Sequence, residues 1–273
     1  CVQAHLDYYN HVDVDMVKIM CDGYFDYPNP LAQSVKTASD WYHLKPLGKD
    51  HPFIREQVER AKQVKAGLKD NMCVFYNVFA PFSSIRFGTS DEMVMEHFRQ
   101  DPKAIASALS VIAEDNSTLC ELLLTEAGCD GVYYCVQGGE KDRMTGEEYR
   151  AYITPSDKAV LSRANKFSPY NILHCCGWAG IPNRLENWQD YPAKGINWAA
   201  FIEKMDMPAG RAFFGGKTVL GGCDNRKSGV LYKGTRQEIQ AFIRNLAASF
   251  DSDTGYMIGA DCTLPGDIDL DHI

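Results

Sequence analysis

The sequence lacks three features that would each assign it to another class of protein. No stretch approaches the roughly 20 consecutive apolar residues that a membrane-spanning helix needs. Basic residues form no cluster, and 28 Lys and Arg against 36 Asp and Glu give a formal net charge of −8. No G-x-G-x-x-G follows a predicted strand, as a dinucleotide-binding sheet would require. These absences argue against a membrane protein, a nucleic-acid-binding protein and an open dinucleotide-binding fold.

The chain also lacks the cysteine spacing of a disulfide framework, although it contains ten cysteines. They are scattered along 273 residues, a length that can bury its own hydrophobic core. No signal-peptide pattern is visible at the start. We therefore expect free thiols and a cytoplasmic protein. The first residue is Cys1 rather than Met, and we expect a natural N-terminal segment upstream of it.

Short apolar runs alternate with longer amphipathic segments, which predicts parallel strands joined by helices. Seven runs have the length and composition of buried strands: residues 16–20, 73–79, 131–136, 170–175, 195–199, 217–223 and 256–261. A weaker eighth run lies at residues 41–47. Seven or eight strand–helix units in this length favour an α/β fold of the closed (β/α)8, TIM-barrel type over an open sheet. We expect one domain spanning residues 1–273.

Three segments between the strands have clear helical signals. Residues 50–67 place apolar side chains among charged ones and end on a glycine that suits a helix C-terminus. Residues 90–126 are long enough for two helices, with a break predicted before Pro102 because proline suits the first turn of a new helix. Residues 235–250 begin with the T-x-x-E pattern of a capping box. The alternation of strands and helices therefore continues to the end of the chain.

The predicted strand that ends near Leu173 is followed by three metal-capable side chains and a glycine. His174 and Cys176 are two residues apart, so they point to the same side of an extended backbone. A nitrogen and a thiolate form a ligand mixture that zinc accepts, but two ligands do not hold a zinc ion. A strand-end cysteine is also often a simple packing residue. The pair by itself therefore leaves both metal binding and core packing open.

Polar residues also end other predicted strands, at the rim where a barrel enzyme carries its chemistry. Three of them are candidates for lining a substrate pocket, with an ordinary loop-entry role as the alternative: Asp22, Asn77 and Gln137. Three tryptophans are candidates for the apolar wall of that pocket, with packing as the alternative: Trp41, Trp178 and Trp188.

Four segments together make the chain similar to the uroporphyrinogen decarboxylase superfamily over nearly its whole length. They are residues 77–88 with an Ala-Pro-Phe-Ser turn, Asp101-Pro102 at a helix start, residues 127–132 before a strand, and the glycine-rich residues 219–224 followed by Lys-Gly-Thr at 233–235. The fold of that superfamily is a (β/α)8 barrel, which agrees with the strand count.

The residues resemble one branch of the superfamily more than the other. The metal-free decarboxylases have an Asp after the first strand, which Asp22 matches. They also have a Tyr after the Pro-Phe-Thr turn and a late His. Here the Tyr position falls near Arg86 and Phe87, and residues 259–265 contain no His. The chain is more similar to the zinc-dependent corrinoid methyltransferases of the methylcobalamin:coenzyme M type.

The methyltransferase branch has His-x-Cys at one strand end and a Cys at the last strand end. His174 and Cys176 match the pair, and Cys262 matches the third position. Cys223, at the glycine-rich turn, is the alternative third ligand. The resemblance implies a zinc site with an open fourth position. It also implies methyl transfer between a corrinoid on a partner protein and a small thiol or methylated substrate. The alternative function is a metal-free lyase of the decarboxylase type, acting on a tetrapyrrole or another carboxylated substrate.

Overall fold

The computed structural model describes residues 1–69 and 72–273, and its central feature is one curled parallel β-sheet. Seven strands pair in the order in which they occur along the chain, each parallel to its neighbours. The strands are β1 (Met16–Ile19), β2 (Cys73–Phe79), β3 (Gly131–Val136), β4 (Ile172–Cys175), β5 (Gly195–Trp198), β6 (Thr218–Cys223) and β7 (Tyr256–Ala260). Sequential parallel order with intervening helices is the arrangement of a TIM-type barrel.

Helices precede or connect all the strands. The α-helices are α1 (Val2–His11), α2 (Pro30–Ser34), α3 (Pro52–Gly67), α4 (Pro81–Phe87), α5 (Asp91–Gln100), α6 (Pro102–Thr125), α7 (Gly146–Tyr152), α8 (Thr154–Ala164), α9 (Ala200–Glu203), α10 (Met207–Phe213), α11 (Val230–Lys233) and α12 (Arg236–Ala248). Three short 3-10 helices lie at Ala38–His43, Leu185–Asn187 and Leu270–His272. No helix within residues 1–69 and 72–273 combines the length and apolarity that crossing a membrane requires.

All seven predicted strands are present, but the predicted eighth strand at residues 41–47 is wrong. The first three residues of that segment belong to the 3-10 helix Ala38–His43, which begins at a capping box formed by Thr37 and Asp40, and residues 44–47 have no regular secondary structure. Trp41 in this helix is fully buried, and its indole N–H donates to His97 Nδ1 at 3.0 Å. In the described part of the chain the sheet therefore has seven strands, and no pairing joins β7 to β1.

The predicted helix boundaries follow from local side-chain contacts. Asp101 separates α5 from α6, and its carboxylate accepts from the backbone N–H groups of Lys103 and Ala104 at the start of α6. Thr235 and Glu238 form the predicted capping box at the start of α12. These caps satisfy N–H groups that a helix start would otherwise leave unpaired.

The inner face of the sheet carries its own small hydrophobic cluster. The side chains of Phe75, Tyr133, Ile172 and Leu220 pack together there, one from each of β2, β3, β4 and β6. The other face packs against the helices as the main core. Because strand side chains alternate between faces, the inward positions two residues further along are Asn77, Cys135 and His174. The inner cluster therefore lies directly beneath the polar residues at the strand ends, and we call it the floor of the site.

None of the ten cysteines forms a disulfide in the structure. We expect titration under denaturing, non-reducing conditions to recover close to ten thiols per chain, because denaturation exposes the buried ones and releases any metal. The control is the same titration after reduction. A count that rises substantially on reduction would contradict the expectation of free thiols.

Candidate metal centre

The curl of the sheet brings the ends of β4 and β7 together. His174 lies in β4, Cys176 is the first residue after β4, and Cys262 is the second residue after β7. Cys176 Sγ is 3.9 Å from Cys262 Sγ, and Cys262 Sγ is 3.6 Å from His174 Nε2. His174 and Cys176 are buried, whereas Cys262 is partly exposed. Of the three side chains selected from the sequence, Cys262 therefore contacts the other two, and the ligand atoms of His174 and Cys176 lie within 4.8 Å of each other.

A fourth donor, Cys135, reaches the same place from β3 and was not selected from the sequence. Its Cα pairs with that of His174 in the β3–β4 register. The ligand atoms of Cys135, His174 and Cys176 all lie within 4.8 Å of one another. Alternation along residues 131–136 could have placed Cys135 on the inward face with Tyr133. The register that sets it opposite His174 is not readable from one sequence.

The distances fit a zinc ion. Zinc bonds of about 2.3 Å to sulfur and about 2.05 Å to nitrogen, at tetrahedral angles, place two sulfurs about 3.8 Å apart and a sulfur and a nitrogen about 3.6 Å apart. The measured separations are 3.9 Å between Cys176 Sγ and Cys262 Sγ and 3.6 Å between Cys262 Sγ and His174 Nε2. One imidazole with thiols is also a donor set that suits zinc. The side chains present therefore suit a zinc ion in both chemistry and spacing.

Asn197 on β5 orients the imidazole of His174. Its Oδ1 contacts His174 Nδ1 and also accepts a hydrogen bond from the Tyr133 hydroxyl at 2.7 Å. Its Nδ2 donates to the carbonyl of Leu220 at 2.8 Å, which fixes the amide. An acceptor facing Nδ1 favours the tautomer that carries its proton there, which leaves the Nε2 lone pair directed at the thiols. Asn197 was not selected from the sequence either, because an Asn in a short apolar run carries no distinguishing pattern.

The thiols are poor acids in their present surroundings. The pKa of Cys176 is raised to about 12, first by its contact with Cys135 and also by burial. The pKa of Cys262 is raised to about 12, first by its contact with Cys176 and then by burial. Crowded, buried thiols resist ionisation because no positive charge offsets the thiolate. A bound metal cation provides that charge, since coordination deprotonates thiols.

Cys223, the alternative third ligand, lies on the other face of the sheet. It is buried in a hydrophobic cluster with Leu231 and Ile239, which come from α11 and α12. Leu220 packs on the inner face, so Cys223, three residues later, points outward. The structure therefore separates Cys223 from the His174 group.

The three residues predicted to line a substrate pocket occupy three different environments. Gln137 donates from Nε2 to Cys176 Sγ at 3.6 Å, so it adjoins the thiols. Asn77 is buried and donates to Cys21 Sγ at 3.3 Å. Asp22 is exposed and lies in a group with Cys1 and His5. Only Gln137 therefore contacts the proposed metal ligands.

Two of the three tryptophans predicted for the pocket wall are core residues. Trp41 bonds to His97, and Trp188 is fully buried with its indole N–H donating to the Tyr149 hydroxyl at 3.0 Å. Trp178 is 55% exposed, and the Arg86 guanidinium lies 5.7 Å from the centre of its ring. Only Trp178, two residues after Cys176, is therefore at the rim.

Buried polar atoms without a hydrogen-bond partner concentrate at the carboxyl-end edge of the sheet. Within the described residues they come from segments that follow β2, β3 and β4: Ser83 Oγ, Arg86 Nη1, Gln137 Oε1, Glu140 Oε1 and Asn183 Oδ1. Buried polar atoms are normally paired, so unpaired ones mark places where a ligand or water supplies the partner. The segments beside the thiols are therefore suited to a polar substrate.

Comparisons with known proteins agree with this fold. The family model described as Uroporphyrinogen decarboxylase (URO-D) matches residues 26–273. No curated protein matches the sequence. A solved structure of a methyltransferase from Methanosarcina mazei superposes with a TM-score of 0.74 at 13% identity, covering 99% of this chain and 81% of that chain. A dihydrodipicolinate synthase from Oceanobacillus iheyensis covers 94% of this chain and 70% of its own at 9% identity, but its TM-score of 0.34 carries no argument.

At 13% identity, the likeness to the methyltransferase structure shows a shared fold and nothing finer. The family match is stronger, because it covers most of the chain and includes the strand ends that carry His174, Cys176 and Cys262. The chain therefore belongs to the uroporphyrinogen decarboxylase (URO-D) family.

Proposed function

We propose that the protein is a zinc-dependent methyltransferase that moves a methyl group between a corrinoid on a partner protein and a small thiol or methylated substrate. The observation that carries this proposal is the contact of Cys262 with both Cys176 and His174 at the separations of a zinc site. The similar solved structure from Methanosarcina mazei is that of a methyltransferase, which is compatible with this proposal. The partner protein and the cytoplasmic location are parts of the same proposal.

In this proposal His174, Cys176 and Cys262 hold the metal and leave one position for substrate. A zinc ion held there would convert a coordinating thiol into a thiolate at neutral pH, or would polarise the oxygen of a methylated substrate as a Lewis acid. Asn197 holds His174 Nε2 toward the thiols, and Gln137 donates to Cys176 Sγ. The burial of His174 and Cys176 excludes water from their side of the site.

The metal-free lyase is the second candidate, because the matching family model is named for a decarboxylase. Asp22, the residue that matches the decarboxylase pattern, is exposed and does not contact the His174 group. The lyase hypothesis treats Cys176 and Cys262 as packing residues. Cys176, however, is absent from the hydrophobic clusters that contain most of the buried cysteines. These observations favour the methyltransferase.

The metal site can be tested by comparing two cysteine variants. We expect Cys262→Ala to purify with less zinc than the unmutated protein, because it removes one thiolate of the proposed ligand set. We expect Cys223→Ala to keep about one equivalent, since Cys223 lies on the other face of the sheet. Zinc is measured by mass spectrometry after preparation without chelators and with zinc supplied. Absence of zinc from the unmutated protein would exclude the methyltransferase and favour the lyase.

The role of Asn197 can be tested through metal affinity. We expect Asn197→Ala to weaken zinc binding about 10- to 100-fold, because the imidazole loses the acceptor that sets its tautomer. Asn197→Asp retains an acceptor oxygen and should recover most of the affinity. Competition with a chromophoric chelator gives the dissociation constants, and circular dichroism confirms folding. Equal affinity in the Ala variant and the unmutated protein would exclude this role.

The reaction itself can be tested with free methylcobalamin and a small thiol. We expect the zinc-loaded protein to remove the methyl group, and the visible spectrum of the cobalamin reports the loss. His174→Ala and Cys176→Ala should abolish the reaction, because each removes a proposed ligand. Cys223→Ala should retain it. Decarboxylation of uroporphyrinogen by the protein, with no demethylation of methylcobalamin, would support the lyase instead.

A further inference from the structure

Cys135 differs from most of the other buried cysteines in its surroundings. Seven cysteines are buried, and five of them belong to hydrophobic clusters: Cys21, Cys120, Cys129, Cys175 and Cys223. The two that belong to neither cluster are Cys135 and Cys176. A buried cysteine usually behaves as a small hydrophobic residue. Cys135 instead lies beside His174 and Cys176, which the proposed function assigns to the metal.

Strand geometry directs the Cys135 thiol at that metal site. Cys135 follows Tyr133 by two residues on β3, and Tyr133 belongs to the inner cluster of the sheet, so both side chains point inward. Across the strand pair it faces His174. Its ligand atom lies within 4.8 Å of those of His174 and Cys176. The thiol therefore needs little movement to share a metal with them.

The four donors form two triangles with a common edge. Cys135 completes one triangle with His174 and Cys176, and Cys262 completes the other with the same two residues. Two faces of a four-coordinate zinc shell also share an edge, and these donors would complete such a shell if Cys135 and Cys262 approached each other around the metal. A site with only His174, Cys176 and Cys262 as ligands leaves the position of the Cys135 thiol unexplained.

We propose that Cys135 is a fourth protein ligand of the metal in the substrate-free protein, an inference that rests on the proposed function. The donor set is then one imidazole nitrogen and three thiolate sulfurs. A substrate thiol competes with Cys135 for the position that it fills, whereas His174, Cys176 and Cys262 retain the metal. Cys135 therefore keeps water from that position between turnovers.

Cobalt substitution counts the thiolates without any assay of activity. The full-length protein is freed of metal with a chelator and given one equivalent of Co²⁺. The near-ultraviolet absorption from thiolate-to-cobalt charge transfer is then recorded, and it grows with each coordinated thiolate. We expect Cys135→Ala to bind Co²⁺ with about two-thirds of the unmutated absorption, as for two thiolates instead of three. The matched control is Cys175→Ala, on the same rim but buried in the hydrophobic core.

Chemical rescue makes the experiment specific for the vacated ligand. We expect added 2-mercaptoethanol to return the absorption of Cys135→Ala to the unmutated level, because a small thiol enters the position of the missing side chain. Cys135→Ser is the second variant if the Ala variant does not fold. Zinc X-ray absorption of the unmutated protein, with three sulfurs and one nitrogen expected, needs no variant.

The possible results separate this inference from the proposed function. Unchanged cobalt absorption in Cys135→Ala, or two sulfurs in the X-ray absorption of the unmutated protein, would overturn Cys135 as a ligand and leave the three-ligand site intact. Failure of the unmutated protein to bind either metal would overturn both. Reduced absorption that 2-mercaptoethanol restores, with Cys175→Ala unchanged, would support the fourth ligand.

Discussion

The register between β3 and β4 is the constraint on which the candidate site depends. It sets Cys135 opposite His174, and it sets Tyr133 opposite Ile172 on the floor beneath them. Side chains alternate along a strand, so a shift of one residue would turn Cys135 outward and bring Val136 into its place. The inner cluster that includes Tyr133 and Ile172 opposes such a shift, because the shift would remove Tyr133 from it and disrupt the packing on both faces of the sheet. Packing of the floor thus maintains the positions of the donors.

The polar contacts around His174 depend on the same inner face. Asn197 reaches the imidazole from β5, and Tyr133 reaches Asn197 from β3, so three strands support one ring. Each buried polar group there has a partner, whereas those nearer the rim, such as Gln137 Oε1 and Glu140 Oε1, have none. A fully paired network is rigid, and an unpaired rim is costly unless something binds to it. This difference between paired groups around His174 and unpaired groups at the rim suits a fixed set of ligands beneath a region that receives substrate.

Much of the fold was predictable from the sequence because it depends on local patterns. The seven strands, the break before Pro102 and the Thr235 capping box all follow from nearby residues. The segment at residues 41–47 was misassigned because its aromatic residues suit a strand, while Thr37 and Asp40 cap it as a 3-10 helix. Such a local cap outweighs a weak strand preference.

The site was predictable only in part, for a different physical reason. The same-side relation of His174 and Cys176 is local, since it needs only an extended backbone. Cys262 was selected through a family resemblance, and Cys135 and Asn197 were missed. Their contacts with His174 depend on strand register and on the curl of the sheet, which join positions far apart in sequence. Neither the strand register nor the curl of the sheet can be determined from a single sequence.

The exposure of the four sulfur and nitrogen donors differs, and this restricts how reactants approach. Cys135, His174 and Cys176 are buried, whereas Cys262 is partly exposed and follows a strand whose residues are all partly exposed. In the proposed reaction, a corrinoid on a partner protein would be too large to enter the buried side and would have to approach past Cys262. A small substrate of that reaction would be bounded on another side by Gln137. The two reactants would then meet at the proposed metal, between Cys262 and Gln137, which both contact Cys176 Sγ.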